Sequence, residues 1–132
     1  MSRENVEVIQ RFYEAFNRSD FSEALDFAHP EIELYPAHVG LDVGSEYRGA
    51  DAVRRFLETI DDGFDTYTVA PEEMIEVGDD RVVVVERWTG RARGIEFDME
   101  FTDVYEFRDG RCVRVEGFRD KAEALEAAEL RE

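Results

Sequence analysis

The chain has 132 residues, 43% of them hydrophobic, with ten phenylalanines, five tyrosines and one tryptophan, enough to bury the core of one domain and too apolar for a disordered segment. Its formal net charge of −17 excludes nucleic acid and anionic membrane as partners, because phosphate binding needs clustered Lys and Arg. A single cysteine, Cys112, excludes an internal disulfide framework and suits a reducing cytoplasm.

The N-terminal MSRENVEV has no signal-peptide core and no apolar run reaches membrane-spanning length, so one soluble cytoplasmic domain over 1–132 is expected. The acid excess reads as a solubility device. Residues 3–18 predict an amphipathic helix, with Val6, Ile9, Phe12, Tyr13 and Phe16 at helical spacing. A second short helix is expected from Phe21 to Ala28, ended by His29-Pro30, and then a strand from Glu31 to Tyr35 closed by Pro36. Residues 37–48 form the longest irregular stretch, the kind of loop that serves as a lid. A helix from Ala50 to Asp62 follows, its buried stripe marked by Val53, Phe56, Leu57 and Ile60 and its end by Gly63.

The second half is strand almost throughout. Thr66 to Val77 is one strand interrupted near Pro71, and Gly78-Asp79-Asp80 is a turn. Arg81 to Thr89 carries the run Val82 to Val85, which predicts cover on both faces and therefore a homodimer through the sheet. Gly90 to Gly94 is read as a link into Ile95–Phe107. There the alternate positions Ile95, Phe97, Met99, Phe101, Asp103, Tyr105 and Phe107 make an apolar face with one carboxylate in it. Unpaired carboxylates are costly to bury, so Asp103 is the first lead to function. Hydrophobic matching favours a three-residue loop at Arg108–Gly110, which sets Asp103 opposite Val115 and Tyr105 opposite Val113 in the strand Arg111–Arg119. A last helix is expected over Lys121–Leu130.

Four stretches, VIQRFYEAFNRSDFSEAL at 8–25, YRGADAVRRFLETI at 47–60, FTDVYEFRDGRCVRV at 101–115 and DKAEALEAAEL at 120–130, resemble the SnoaL-like (polyketide cyclase-like) branch of the nuclear-transport-factor-2-like superfamily. The resemblance implies an α+β fold, a cone-shaped curved antiparallel sheet wrapped on N-terminal helices with a pocket between them. Ketosteroid isomerases share that fold more distantly, and their three pocket groups match here at Phe12 in place of a tyrosine, Tyr35 in place of a general-base aspartate, and Asp103 in place of an aspartic acid kept protonated by apolar surroundings. One of the three is retained, so ketosteroid isomerisation itself is not expected. Polyketide cyclases of the branch use an aspartate as acid/base and no metal, and Asp103 is the candidate by analogy.

Asp103 and Tyr35 are thus the candidate catalytic residues, the tyrosine as a hydrogen-bond donor to a bound carbonyl. The expected pocket adds Phe12, Phe16, His38, Phe56, Glu86, Trp88, Phe101, Val115 and Arg119. Glu86 and Trp88 share a strand face that the isomerase comparison turns inward; a second carboxylate near Asp103 would split the two pKa values, but the ordinary setting for such a glutamate is solvent or an arginine, and that is the expectation. His38 is placed in a solvated loop, and Arg119, on the inward register, meets either an anionic ligand or a neighbouring acid. Two histidines and one cysteine without metal-ligand spacing build no zinc set, and neither metal nor cofactor is expected. The sequence thus leaves two readings: a cofactor-independent isomerase, cyclase or hydratase acting on a small apolar carbonyl compound, or a non-catalytic binding or dimerisation domain.

Overall fold

The computed structural model describes residues 2–37 and 46–130. The elements are α1 (Ser2–Asn17), α2 (Phe21–Ala24), β1 (Ala28–Tyr35), β2 (Tyr47–Arg48), α3 (Ala50–Gly63), β3 (Thr66–Val77), β4 (Arg81–Ala92), β5 (Ile95–Arg108), β6 (Arg111–Phe118) and α4 (Lys121–Leu130). The strands form one curved, unclosed sheet in the order β2-β1-β6-β5-β4-β3, antiparallel except where β1 runs parallel to β6. No helix among the described residues is long and apolar enough to cross a membrane.

One face of this sheet holds α1, α2 and α3. The stripe on α1 delivers Ile9, Tyr13 and Phe16 to a core that also takes Val53, Phe56 and Leu57 from α3, and Val82, Val84, Tyr105, Phe107 and Val115 from the strands. The end of α1 is tied to the edge strand by Asn17, whose side chain accepts from Val69 N at 2.9 Å and donates to Val69 O at 2.9 Å. The long loop expected after Pro36 is partly strand, since Tyr47 and Arg48 pair with Leu34 and Glu33; residues 38–45, and with them His38, lie outside the described residues.

Several expectations change. The second helix ends at Ala24, and β1 already begins at Ala28 with Pro30 inside it. The proline is tolerated because pairing with β6 is irregular between Ala28 and Glu33, so no ladder donor is needed there. Pro71 sits on an edge strand at a second irregularity. The ladder β4–β5 continues past Gly90 to Ala92↔Ile95, closed by the two-residue turn Arg93-Gly94 with both φ positive. Gly90 stays in the strand because a Cβ there would lie 2.8 Å from Tyr67 Cα.

The opposite face explains the valine run. Val83 and Val104 pack against Ala124 and Ala128 of α4, a helix capped by Asp120, whose carboxylate accepts from Ala122 N at 2.7 Å. The second cover for Val83 therefore comes from the chain's own C-terminal helix, and the run carries no argument for a second copy.

The β5–β6 register also differs. The turn is the two-residue Asp109-Gly110, with φ of 53° and 79°, and a bulge follows between Glu106 and Phe107, leaving Val113 as the extra residue on β6. Pairing runs Phe107↔Cys112 and then Tyr105↔Val115 and Asp103↔Gly117, in place of the expected Asp103 opposite Val115. A two-residue turn alone would have put Glu116 opposite Asp103. The bulge restores the parity that keeps Val115 and Gly117 on the inward face.

Candidate functional site

Asp103 emerges from β5 on the helix-covered face of the sheet, between Phe101 and Tyr105. Its partners across the ladders are Val84 on β4 and Gly117 on β6. Glu86 pairs with Phe101 and so sits diagonally from Asp103 on the same face, within reach of a carboxyl side chain. The glycine opposite is what leaves room for the acid: a Cβ at Gly117 would stand 3.0 Å from Asp103 Oδ1 and 2.6 Å from Ala37 N.

The expectation that Glu86 is exposed or paired with arginine is overturned. Glu86 is 3% exposed. Its Oε1 accepts from the Trp88 indole at 3.1 Å, and its Oε2 accepts from the Tyr13 hydroxyl. Tyr13 and Tyr105 hydroxyls are 2.7 Å apart. The Tyr13 proton is committed to Glu86, so Tyr105 donates to Tyr13 and the chain runs Tyr105 to Tyr13 to Glu86. Buried tyrosines need a partner for their hydroxyls, and each here finds one in the other or in the carboxylate.

Burial, with the Glu86 charge and a hydrogen bond to Glu86 added, holds the Asp103 carboxyl well above the usual aspartate range. Burial also raises Glu86, opposed by hydrogen bonds from Asp103, Tyr13 and Trp88. Tyr13 and Tyr105 are both pushed well above the ordinary tyrosine value, first by burial and then by the charges of the neighbouring acids. Two carboxyls this close, out of water, share a proton instead of both ionising.

The four groups stand at the wall of a two-lobed cavity. The outer lobe, about 110 Å³, is walled by Leu34, Phe56, Phe64, Trp88, Met99 and Phe101 around the two carboxyls. The inner lobe, about 80 Å³, lies among Phe12, Phe16, Phe27, Tyr105 and Val115, and shares Leu34, Phe56, Ile60, Glu86, Trp88 and Asp103 with the outer one. No Lys or Arg lines either lobe among the described residues. An engineered cavity of roughly 150 Å³ takes a benzene, so a ligand spanning both lobes has one or two rings.

Of the expected pocket residues, Phe12, Phe16, Phe56, Glu86, Trp88, Phe101, Asp103 and Val115 line this cavity. Tyr35 does not. Alternation from Ile32 and Leu34, which point inward, sends Glu33 and Tyr35 to the outer face, where the Tyr35 hydroxyl donates to Glu33 Oε1 at 2.7 Å and the Arg114 guanidinium lies 4.3 Å from its ring centre. Arg119 falls beyond the end of β6, is exposed, and lines neither lobe. Tyr13 and Tyr105 are the residues that sequence reasoning took for core and missed. The available signal was the Arg93-Gly94 turn, whose two-residue register places Glu86 beside Asp103 and so creates a demand for buried donors. Among the described residues no cluster of three His, Cys, Asp or Glu could hold a metal ion.

A family model described as SnoaL-like domain matches residues 9–115. No curated protein matches the sequence. Among solved structures, TerC co-crystallised with polyporic acid is 28% identical with a TM-score of 0.78, over 96% of this chain and 98% of that one. An NTF2-like protein of unknown function from Burkholderia pseudomallei K96243 is also 28% identical, with a TM-score of 0.79, over 93% of this chain and 95% of that one. A candidate polyketide cyclase from Xanthomonas campestris pv. campestris, 21% identical over 96% of this chain and 98% of that one with a TM-score of 0.68, shares the fold.

Proposed function

The chain belongs to the SnoaL-like domain family, and from that premise we propose that its cavity binds a small, largely apolar carbonyl compound of one or two rings and moves a proton on it without a metal or cofactor. The observation that carries this reading is the buried Asp103–Glu86 pair at the wall of an otherwise apolar cavity. Isomerisation, aldol-type cyclisation and hydration share one requirement: a proton must leave or reach a carbon next to a carbonyl while charge on its oxygen is held. A carboxyl whose pKa is raised by burial holds its proton for donation and, once ionised, is a stronger base than an ordinary aspartate, which suits it to both directions. Asp103 is the acid/base in this reading, and Phe12, Phe16, Trp88 and Phe101 are the walls. The TerC relative, captured with polyporic acid, supports small-molecule occupancy of this fold.

The second reading is a domain that binds its ligand passively. It is favoured by Phe12, which stands where the isomerases carry a tyrosine, and by the outward turn of Tyr35.

The test is a thermal-shift screen of short enones, one- and two-ring aromatic ketones, polyketide-like aromatics and polyporic acid, followed by deuterium exchange at the carbon beside the carbonyl of any binder, read by NMR. Binding with exchange that Asp103→Asn abolishes is the expected result. Binding without exchange identifies the passive domain, and no binder in the panel removes the carbonyl-ligand reading.

A further inference from the structure

The two carboxyls at the cavity wall are not equivalent, and the hydrogen-bond directions tell them apart. Among the described residues, every protein donor that reaches the pair ends on Glu86: the Trp88 indole on Oε1 and the Tyr13 hydroxyl on Oε2. Tyr13 is held in that role by Tyr105, which supplies the hydrogen bond Tyr13 accepts and so leaves the Tyr13 proton free to face the glutamate. A carboxylate that accepts two donors is stabilised in its charged form. Among the described residues Asp103 receives no such donor. Across the sheet it faces Val84 and Gly117, neither of which brings a side-chain donor.

We propose that the pair holds one proton on Asp103, with Glu86 as the ionised partner: Glu86 is a positioning residue that keeps Asp103 protonated, and Tyr13, Tyr105 and Trp88 hold the charge on Glu86. This deepens the acid/base reading of the cavity and rests on it for its functional meaning. In the empty site the Asp103 proton lies toward Glu86. When a ligand carbonyl enters, the same O–H turns to its oxygen, and Glu86 keeps its two remaining donors, so releasing Asp103 strands no buried charge without hydrogen bonds. Proton transfer from Asp103 to the ligand oxygen breaks the Asp103 O–H and forms the ligand O–H. It leaves two adjacent carboxylates, whose repulsion drives recovery of a proton from the ligand carbon or from solvent. The ligand class this favours is one with a hydrogen-bond-accepting oxygen, a ketone or quinone, over one that brings a cation.

Among the described residues the titratable groups facing Asp103 are Glu86 from β4, Tyr13 from α1 and Tyr105 from its own strand. The other elements around the cavity present uncharged residues: Phe56 and Ile60 from α3, Leu34 from β1, and Val115 and Gly117 from β6. The apparent midpoint of Asp103 is thus set by burial, by Glu86 and by the tyrosines that hold Glu86 charged.

The experiment is a pH titration of ligand-free protein labelled at the aspartate carboxyls, read by isotope-edited infrared spectroscopy, with Asp103→Asn identifying the Asp103 band. The wild type is expected to show that carboxyl protonated at neutral pH. Glu86→Gln removes the charge with little change in shape, and Tyr13→Phe removes one donor from it; each is expected to lower the Asp103 midpoint by about one pH unit or more. A role in packing alone would leave the midpoint where it is. An Asp103 carboxyl that is ionised at neutral pH in the wild type, or a midpoint unmoved in both variants, overturns the proposal. If Glu86→Gln does not fold, the wild-type band and Tyr13→Phe decide it. Because no ligand is present, failure here is separate from failure of the carbonyl-ligand screen, which tests the cavity reading itself.

Discussion

Asp103 owes its chemistry to the same burial that costs the fold stability. A carboxyl whose pKa is raised in the folded state binds a proton there that the unfolded chain has already released, so stability falls as pH climbs from the ordinary aspartate value toward the raised one. Each pH unit of that interval corresponds to about 1.4 kcal/mol. Asp103→Asn deletes this dependence, so in urea unfolding the variant is expected to gain on the wild type as pH rises above the ordinary aspartate range, until the raised folded midpoint is passed. A difference that stays flat with pH would show that the folded protein does not hold this proton. Glu86 shares in the wild-type curve, because the two acids titrate as a pair, so the difference from Asp103→Asn reports the proton held by the pair. Tyr35 teaches the converse point. A hydroxyl at the end of a strand next to a proline looked ready for a ligand, yet one step of alternation places it beside Glu33 and Arg114 on the outer face.

At the scale of elements, the site depends on how β5 meets β6. The Asp109-Gly110 turn gives one parity, which sets Cys112 opposite Phe107, and the bulge that leaves Val113 unpaired gives the other, and only the second keeps Val115 and Gly117 on the inward face. Gly117 then has two neighbours that no other residue could accommodate: the backbone of Ala37, past the end of β1, and the carboxyl of Asp103. Gly117→Ala is expected to destabilise the protein by about 1–3 kcal/mol in urea unfolding, since a methyl forced against backbone has nowhere to move. It should also weaken ligand-induced thermal shifts by displacing Asp103. A variant as stable as the wild type would mean that the Ala37 segment can yield, and that the glycine is not what makes room for the acid.

For the whole molecule the governing quantity is the charge of −17. Some of it is locally compensated: Arg87 meets Glu72 at 3.1 Å, Asp98 at 2.5 Å and Glu100 at 3.5 Å across the outer face of the sheet. Exposed pairs of this kind contribute roughly 0–1 kcal/mol each, and salt weakens them. Repulsion among the remaining acids acts over the entire surface and is screened by the same salt, with a Debye length of about 10 Å at 0.1 M. The excess of acids over bases makes repulsion the larger effect, so the unfolding temperature is expected to rise by a few degrees from low salt to about 0.5 M sodium chloride. A fall on the same titration would put the Arg87 network ahead of the net charge. The C-terminal helix works at this scale too, since by covering Val83 and Val104 it completes a second, smaller core on the far side of the sheet.

Local periodicity determined much of this protein without any structure. The helical stripe of α1, the alternation that turns Asp103, Phe101 and Tyr105 to one face, the β4 face shared by Glu86 and Trp88, and the α4 segment are all legible because burial selects residue type at a period set by the backbone. What only the tertiary structure decided is which groups from distant segments meet. Tyr13 and Glu86 lie 73 positions apart, and nothing in either local pattern says that one donates to the other. Their meeting depends on how α1 is rotated over β4, just as the nearness of Glu86 to Asp103 depends on the two-residue turn at Arg93-Gly94, and the seat of Asp103 opposite Gly117 on a bulge that no turn signal announces. Periodicity assigns a residue to a face; the register between elements assigns it a partner. The chemistry of this cavity resides in the partners.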